Sequence, residues 1–262
     1  MQEPESVVEI PAGYNGTLVL NNVTVASVMQ MEATSTFAAT GTATATAANV
    51  VILGDVVVKA TEESQSAVTG TALNLSGNGK LTAVGKGTAA FGIGGMNTQS
   101  ITMKDLTVVY AEGGEAYGVG SDTKYYKDAP EGGAAIGSGF NGAEIVLNAV
   151  TVEKAVGGSK AAGIGARYHV GVNVTITDST VYYVEGGVSA AGIGSSRTSG
   201  DGDENGTKIT VSNSMINAKG GAYGAGIGSG YDTHCLSKQP LCEINITNSS
   251  IKATGGRYAA GI

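Results

Sequence analysis

The sequence contains no tryptophan, 3 phenylalanines, 4 prolines and 2 cysteines among its 262 residues. Charged residues make up 14% of the chain, against roughly 25% in an average soluble protein. No run of 18 apolar residues occurs, so the sequence predicts no membrane insertion. The net charge of −7 and the lack of basic stripes argue against nucleic acid and anionic membrane surfaces as partners.

Glycine is abundant instead, with 42 residues, about twice its usual share of roughly 7%. Valine, isoleucine, threonine and alanine are also frequent. Small and β-branched residues interrupted by glycine are typical of many short strands joined by tight turns. Because 42% of the residues are apolar, the chain can bury a core despite its glycine content.

Two repeated patterns run along the chain. The phrase Ala-Ala-Gly-Ile-Gly begins at Ala161 and returns at Ala190, and shorter variants of it recur elsewhere. In the second pattern, alternating apolar residues run into a turn and then resume, and the turn residues are mostly types that tolerate the left-handed backbone conformation. The predicted turn residues are Asn22, Asp55, Gly77, Asp105, Ala149, Asp178, Asn213 and Asn248, of which the alanine is the misfit.

The shortest spacing between these turns decides the fold class. Gly77 follows Asp55 by 22 residues, which fits three short strands with their turns, whereas a βαβ unit needs roughly 30 residues. We therefore expect an all-β, single-stranded right-handed parallel β-helix (a solenoid) of about eight coils, with loops on one edge. Coils that rise by roughly 4.8 Å would form a rod about 40 Å long.

The domain prediction is a single β-helix over residues 1–262, with residues 1–17 as an N-terminal cap. The last glycine phrase stops inside a coil, which predicts a fragment of a longer protein, with further coils or a partner at that end. Inside each coil, the isoleucine of the phrase is expected to stack in the core. The glycines of the phrase are expected to keep the wall of the coil thin and to let the chain turn.

The turns and coils resemble the right-handed parallel β-helix of pectate-lyase-like proteins, which carry similar asparagine ladders. The coil phrase "ITVSNSMINAKGGAYGAGIGSG" is more similar to glycine-rich repeats of bacterial secreted and surface proteins that bind carbohydrate or act as adhesins. The resemblance implies a non-enzymatic protein, extracellular or on the cell surface, that binds glycan or serves as an adhesin or stalk. Since the same fold carries many functions, a fragment of a polysaccharide lyase or glycoside hydrolase is the alternative.

Candidate catalytic groups are sparse. Asp105 and Asp178 share the turn ladder with asparagines that cannot ionise, and neither His169 nor His234 has a nucleophile signature nearby. We therefore expect no catalytic site and no required cofactor. Ice binding by threonine ladders is a third class, but the threonines of "TATATAANV" do not repeat from coil to coil.

Aromatic residues suggest a ligand site on the loop edge. Three of them stand four residues after the isoleucine of their glycine phrase, an arginine takes that place in the intervening coil, and two tyrosines lie in the largest loop, Ser121–Gly142. Rings in a row suit the apolar faces of a polysaccharide or cell-surface glycan; the alternative is that they cover the ends of the coils. The predicted glycan-binding residues are Tyr125, Tyr126, Phe140, Tyr168, Arg197 and Tyr231. Tyr182 and Tyr183 are adjacent in a strand, so one is expected to point outward and one inward.

The two cysteines, Cys235 and Cys242, fall in one loop. A local disulfide would stabilise that loop by roughly 2–3 kcal/mol in the chain-entropy model and favours an oxidising, extracellular setting. Two free thiols are the alternative. Metal binding by the two cysteines together with His234 has less support than either, because a structural zinc needs four ligands.

The stretch "DGDENG" contains the first half of a calcium loop of the EF-hand type. Asp201, Asp203 and Asn205 alternate, so three oxygens can converge, and Gly206 allows the bend. Ser212 stands where that motif has its bidentate glutamate, and a solvated acidic loop is the alternative. The sequence thus offers Ca²⁺ as an optional cofactor.

If this loop holds calcium, adding millimolar Ca²⁺ should raise the melting temperature, and Asp203→Ala should abolish the gain. The missing glutamate predicts a weak site of roughly submillimolar affinity, as in extracellular modules. Calorimetry that detects no binding heat, together with an unchanged melting temperature, would identify the loop as solvated.

Overall fold

The computed structural model describes residues 6–11, 14, 16–30, 47–114, 131–167, 170–196, 206–230 and 242–262. Its regular structure is entirely β and forms three sheets in which neighbouring strands are parallel. The chain visits the three sheets in turn and then returns to the first, so each circuit is one coil, and such crossovers are right-handed. This confirms the predicted β-helix of eight coils. No helix in the described residues is long and apolar enough to cross a membrane.

The first sheet consists of short strands that carry the isoleucine of the glycine phrase from its fourth strand onward. Its eight strands, in spatial order, are β1 (Val7–Ile10), β4 (Ser27–Gln30), β7 (Val68–Thr69), β10 (Ile93–Gly95), β13 (Ile136–Ser138), β17 (Ile164–Ala166), β20 (Ile193–Gly194) and β23 (Ile227–Gly228).

The second sheet is the longest and most regular wall, with inward apolar residues alternating with outward polar ones. Its eight strands are β2 (Thr17–Asn21), β5 (Ala48–Leu53), β8 (Ala72–Ser76), β11 (Ser100–Lys104), β14 (Ala143–Asn148), β18 (Val172–Thr177), β21 (Lys208–Ser212) and β24 (Glu243–Thr247).

The third sheet follows the turn column and contains a broken strand in its fifth coil. Its nine strands are β3 (Thr24–Val25), β6 (Asp55–Lys59), β9 (Lys80–Val84), β12 (Thr107–Glu112), β15 (Thr151–Val152), β16 (Ala155–Val156), β19 (Thr180–Glu185), β22 (Met215–Lys219) and β25 (Ser250–Thr254). Coils are numbered here by these circuits: coil 1 is β1–β3, coil 2 β4–β6, coil 3 β7–β9, coil 4 β10–β12, coil 5 β13–β16, coil 6 β17–β19, coil 7 β20–β22 and coil 8 β23–β25.

The core is a stack of inward columns enclosed by the three sheets. Ile164, Ile193 and Ile227 pair in register from coil to coil and are fully buried, as predicted. In coil 8 the inward Ile244 and Ile251 are partly buried and pack against that core. Each coil therefore completes the burial of its neighbour.

The turn between the second and third sheets is a column of left-handed residues. Six of the eight predicted turn residues have φ between 46° and 53°, and Gly77 has φ 118°. The six are Asn22, Asp105, Ala149, Asp178, Asn213 and Asn248. Ala149, the misfit of the sequence pattern, is held there by a hydrogen bond from its N–H to the carbonyl of Thr177, at 3.1 Å. The column thus imposes the conformation even on a residue that disfavours it.

Asp55 is the exception, and its predicted role was wrong. The left-handed residue of coil 2 is Gly54, with φ 62°, and Asp55 is the first residue of β6. The N–H of Asp55 donates to the side-chain oxygen of Asn22 in coil 1, at 3.0 Å. Glycine takes the bend because it has no Cβ to strain the positive φ.

A ladder of serine hydroxyls follows the turn in the C-terminal half. The hydroxyl oxygen of each serine accepts a hydrogen bond from a backbone N–H of the preceding coil, at 3.0–3.1 Å. Ser179 accepts from the N–H of Val150, Ser214 accepts from the N–H of Ser179, and Ser249 accepts from the N–H of Ser214. Each hydroxyl also donates to the carbonyl two residues earlier in its own coil. The ladder pairs backbone N–H groups that the turn removes from the strand pattern.

Two predicted boundaries differ in detail from the structure. Residues of the predicted N-terminal cap provide β1, a strand of the first sheet. Residues 131–142, predicted as part of the largest loop, instead form the wall of coil 5 around β13. The remaining segment 115–130 lies in the chain between β12 and β13, whereas the other loop segments precede second-sheet strands.

The glycine after the isoleucine explains why the phrase recurs. Gly165, Gly194 and Gly228 have φ of 140°, 128° and 140°. A methyl group added to Gly165 would overlap the carbonyl oxygen of Gly194, and one added to Gly194 would overlap that of Gly228. Both the positive φ and the backbone contact between coils require glycine here.

Gly194→Ala and Gly228→Ala separate these two requirements. An alanine at position 228 would meet nothing closer than Ala225 Cβ, at 3.3 Å, so its cost is the backbone strain of about 1–2 kcal/mol. Gly194→Ala adds the overlap and should lower the free energy of unfolding by about 1–3 kcal/mol more. Urea unfolding of both variants measures the difference. Equal losses would contradict the backbone contact between coils.

Candidate functional site

Most of the predicted ligand residues lie outside the described residues. Phe140 is described: it follows β13, is 42% exposed, and its N–H donates to Ser138 Oγ at 2.8 Å. The rest of the aromatic row and the calcium loop stay predictions. The residues concerned are Tyr125, Tyr126, Tyr168, Arg197, Tyr231, Asp201, Asp203 and Asn205.

Cys242 is partly buried and forms no disulfide with another described residue, and burial raises the pKa of its thiol to about 11. Its predicted disulfide partner, Cys235, lies outside the described residues, so the disulfide stays a prediction. Over the described ranges, no group of three or more His, Cys, Asp or Glu side chains is placed to hold a metal ion.

The loop edge beside Phe140 is braced by Arg167. The Arg167 guanidinium forms an ion pair with Glu131, donates to the carbonyl of Gly132 at 3.2 Å and contacts Met96 Sδ at 3.3 Å. Its side chain is 12% exposed, so this charge is used within the fold. The Phe140 ring remains accessible on the described part of this edge, as does the Met96 side chain.

An open groove of about 670 Å³ lies beside coils 2 to 4. Both of its glutamines are engaged by the backbone: Gln30 Oε1 accepts from the N–H of Thr71, and Gln65 Oε1 accepts from two neighbouring N–H groups. Among the described residues, its lining contains no aromatic ring. The groove therefore offers little for stacking a ligand.

The outer face of the third sheet is interrupted by a bulge in three successive coils. In β9 a single residue, Thr82, lies between the inward Leu81 and Ala83. In β22 a single residue, Asn217, likewise lies between the inward Ile216 and Ala218. Coils 4, 5 and 6 have two residues at this point: Val109 and Tyr110, Glu153 and Lys154, and Tyr182 and Tyr183. Bulges re-aim side chains and are frequent beside functional sites.

The bulge corrects the expectation for Tyr182 and Tyr183, which was wrong. Neither ring points inward: Val181 and Val184 fill the inward positions, Tyr182 is 56% exposed, and Tyr183 lies on the outer face. An extra residue between two inward positions places both intervening side chains outside. The signal in the sequence is this extra residue between two apolar ones.

A tyrosine–glutamate pair occurs twice on this face. The hydroxyl of Tyr110 donates to Glu112 Oε2 at 2.7 Å, and that of Tyr183 donates to Glu185 Oε2 at 2.6 Å. Glu112 and Glu185 occupy one column of the sheet, in coils 4 and 6, with Val156 between them. The sequence analysis did not identify these pairs.

Two lysines accompany the pairs. Lys154 of coil 5 is exposed, and its Nζ lies 5.5 Å from the centre of the Tyr110 ring, a cation–π distance. Lys219 Nζ lies 2.7 Å from Glu185 Oε1, close enough for an ion pair although not aligned as a hydrogen bond. Glu185 is thus buried with a positive neighbour and a hydroxyl donor.

The glutamates hold both phenols in their neutral form. Burial, and then the hydrogen bond to the neighbouring carboxylate, raise the pKa of Tyr110 and of Tyr183 well above the usual value of 10. Ionisation would place a phenolate beside a carboxylate in a partly dehydrated site. The rings therefore present a fixed, uncharged face with their hydroxyls engaged.

The raised pKa values of the two tyrosines predict that the folded protein loses stability at alkaline pH. Because the pKa values of Tyr110 and Tyr183 are raised in the folded state, their stabilising effect is complete below the unfolded value of 10 and is lost as the pH rises above it. Unfolding by urea should therefore become easier above that pH. The combined variant Tyr110→Phe and Tyr183→Phe should show a smaller alkaline loss. An identical pH dependence in both proteins would contradict the pairing.

Comparison with known proteins bears on the same coils. A family model described as a beta helix repeat matches residues 174–197, 209–231 and 244–262, about a quarter of the chain. Each match begins within a second-sheet strand and runs through the third sheet to the glycine phrase. No curated protein and no solved structure matches the chain. The repeat and the three parallel sheets together identify the fold as a right-handed parallel β-helix.

Proposed function

We propose that this β-helix is a non-enzymatic, extracellular or cell-surface protein that binds an extended glycan along the outer face of its third sheet. The observation that supports it best is the repeated tyrosine–glutamate pair, Tyr110 with Glu112 and Tyr183 with Glu185. An adhesin or a glycan-binding stalk would use such a face on a rigid rod.

The spacing of the two pairs suits a polymer that runs along the coil axis. They are two coils apart, which corresponds to about 10 Å at the usual strand spacing. This is close to the length of two sugar units in an extended chain. Each pair can therefore contact one unit of every disaccharide without bending the ligand.

The chemistry of each pair also suits sugars. Aromatic rings stack on the apolar faces of sugar units, and carboxylates accept hydrogen bonds from their hydroxyl groups. Tyr110 engages one oxygen of Glu112, and over the described ranges the other oxygen has no partner. The exposed ring of Tyr182 adds a further stacking surface in coil 6. These groups stand on strands, which lowers the entropic cost of binding.

Glycan binding at the loop edge with Phe140 is a separate prediction. Phe140 lies in the chain just before a strand of the second sheet, whereas the paired tyrosines lie on the third sheet. Tyr168→Ala combined with Tyr231→Ala tests that edge by itself, and a platform role requires lost binding with nearly unchanged thermal stability.

The alternative, a fragment of a polysaccharide lyase or hydrolase, has weaker support. Glu112 and Glu185 are about 10 Å apart by the coil rise, beyond the separations of about 5–9.5 Å that paired glycosidase carboxylates use. Each already accepts a tyrosine hydroxyl. Product analysis on bound polysaccharides distinguishes the two functions: released reducing or unsaturated ends would favour the enzyme.

A glycan array tests the binding face. Tyr110→Ala combined with Tyr183→Ala should weaken binding about thirtyfold, since each stacked ring contributes about 1 kcal/mol. The corresponding phenylalanine variants keep the rings and should retain most of the binding. Circular dichroism and thermal melting confirm that each variant is folded.

Tyr258→Ala is the matched control. This ring is 62% exposed but stacks on Tyr223 at a corner of coil 8, away from the paired tyrosines. The control should bind as the unchanged protein does. Undiminished binding by a folded alanine double variant would refute the proposed face.

A further inference from the structure

Charge alternates with the tyrosine–glutamate pairs along the third sheet. Coils 4 and 6 carry the pairs, and coil 5 between them carries Lys154 on the outer face, at the bulge position that Tyr110 and Tyr183 occupy in their own coils. The other lysines of this sheet stand in coils 2, 3, 7 and 8, and that of coil 7, Lys219, is paired with Glu185. From coil 4 to coil 6, a pair, a lysine and a second pair therefore follow one another, and the two pairs are two coils, about 10 Å, apart.

We infer that this face selects a polysaccharide whose disaccharide repeat joins one anionic sugar to one uncharged sugar. This inference rests on the proposed function and specifies its ligand class. The uncharged unit lies on a tyrosine–glutamate pair, and the carboxylate or sulfate of the next unit meets the lysine of the neighbouring coil.

Lys154 is the central contact. It stands in the bulge of coil 5, between the two pairs, and its ammonium is held over the Tyr110 ring. No carboxylate of the described residues lies within 4 Å of it, and the side chain is exposed. A positive charge that is positioned but not neutralised is suited to an anionic group of a ligand.

The charge balance of the face differs from that of the whole chain. The whole chain carries a net charge of −7. On the outward positions of the third sheet in coils 3 to 8, however, four lysines face three glutamates. These residues are Lys80, Lys154, Lys219 and Lys252, with Glu112, Glu153 and Glu185. All three glutamates lie in coils 4 to 6, where the paired tyrosines are, and on the outward positions of those strands Lys154 is the single lysine, so an anionic group of the ligand has one favourable place there.

Alternation excludes uniform ligands on physical grounds. A polymer with a carboxylate on every unit would place like charges against Glu112 and Glu185 in coils 4 and 6. A polymer without charge would leave the Lys154 ammonium without a counter-ion at the centre of the interface. An alternating polymer satisfies both kinds of site.

Calorimetry with three probes of equal length tests this inference on the full chain. The probes are hyaluronan oligosaccharides, which alternate an anionic and an uncharged sugar, oligogalacturonate, which is anionic throughout, and cello-oligosaccharides, which are uncharged. Hyaluronan should bind tightest, and its affinity should fall as the salt concentration rises.

Two substitutions locate the charge contact. Lys154→Met keeps the apolar stem and should weaken hyaluronan binding by about tenfold, the effect of losing one charge-assisted hydrogen bond. Lys104→Met removes an exposed lysine of the second sheet, on a different wall from the paired tyrosines, and is the matched control that should change little. Glu153→Gln, beside Lys154, should strengthen binding.

The outcomes separate this inference from the proposed function. If either uniform probe binds as tightly as hyaluronan through Tyr110 and Tyr183, or if Lys154→Met has no effect, the alternating ligand is wrong while glycan binding stands. If the folded protein binds none of the probes and no glycan on the array, both are wrong. Tightest binding of hyaluronan with loss in Lys154→Met supports both.

Discussion

Close backbone contact between successive coils is the constraint on which the rest of the structure depends. At the glycine columns the carbonyl of one coil lies where a side chain of the next would be, as between Gly194 and Gly228. This contact sets both the rise and the register. Once these are fixed, every residue has a defined neighbour above and below, so inward isoleucines, turn residues and outward polar groups all form columns.

The fold and the turn column could be predicted because both depend on local residue preferences. Asparagine, aspartate or glycine stands at seven of the eight left-handed bends of the column, and the spacing of the bends gives the coil. The same preference misplaced the bend of coil 2, where Gly54 and Asp55 are both acceptable and the glycine takes the strained position. Ala149 shows the converse: its neighbours in the column, rather than its own preference, determine its backbone.

The tyrosine–glutamate pairs could not be found by assuming strict alternation. A bulge changes which face a residue occupies, so Tyr182 and Tyr183 both lie on the outer surface, whereas strict alternation turns one of them inward. The extra residue between two apolar positions is recognised by comparison with β9 and β22, which lack it. The aromatic row was instead derived from a constant offset from the isoleucine. That offset fits the exposed Phe140, and the other rings of the row lie outside the described residues.

The serine ladder has a consequence for how such a rod changes length during evolution. Ser179, Ser214 and Ser249 are spaced by 35 residues, and each makes the same two hydrogen bonds. A duplication of residues 179–213 would therefore insert a serine that finds an acceptor and a donor already in place on either side. Length can be gained in whole coils without redesigning a junction, and coils of different length keep the ladder, since Ser179 accepts from Val150 across 29 residues rather than 35. The number of ligand contacts along the rod, and with it the avidity for a polymer, would then grow by gene duplication in discrete steps.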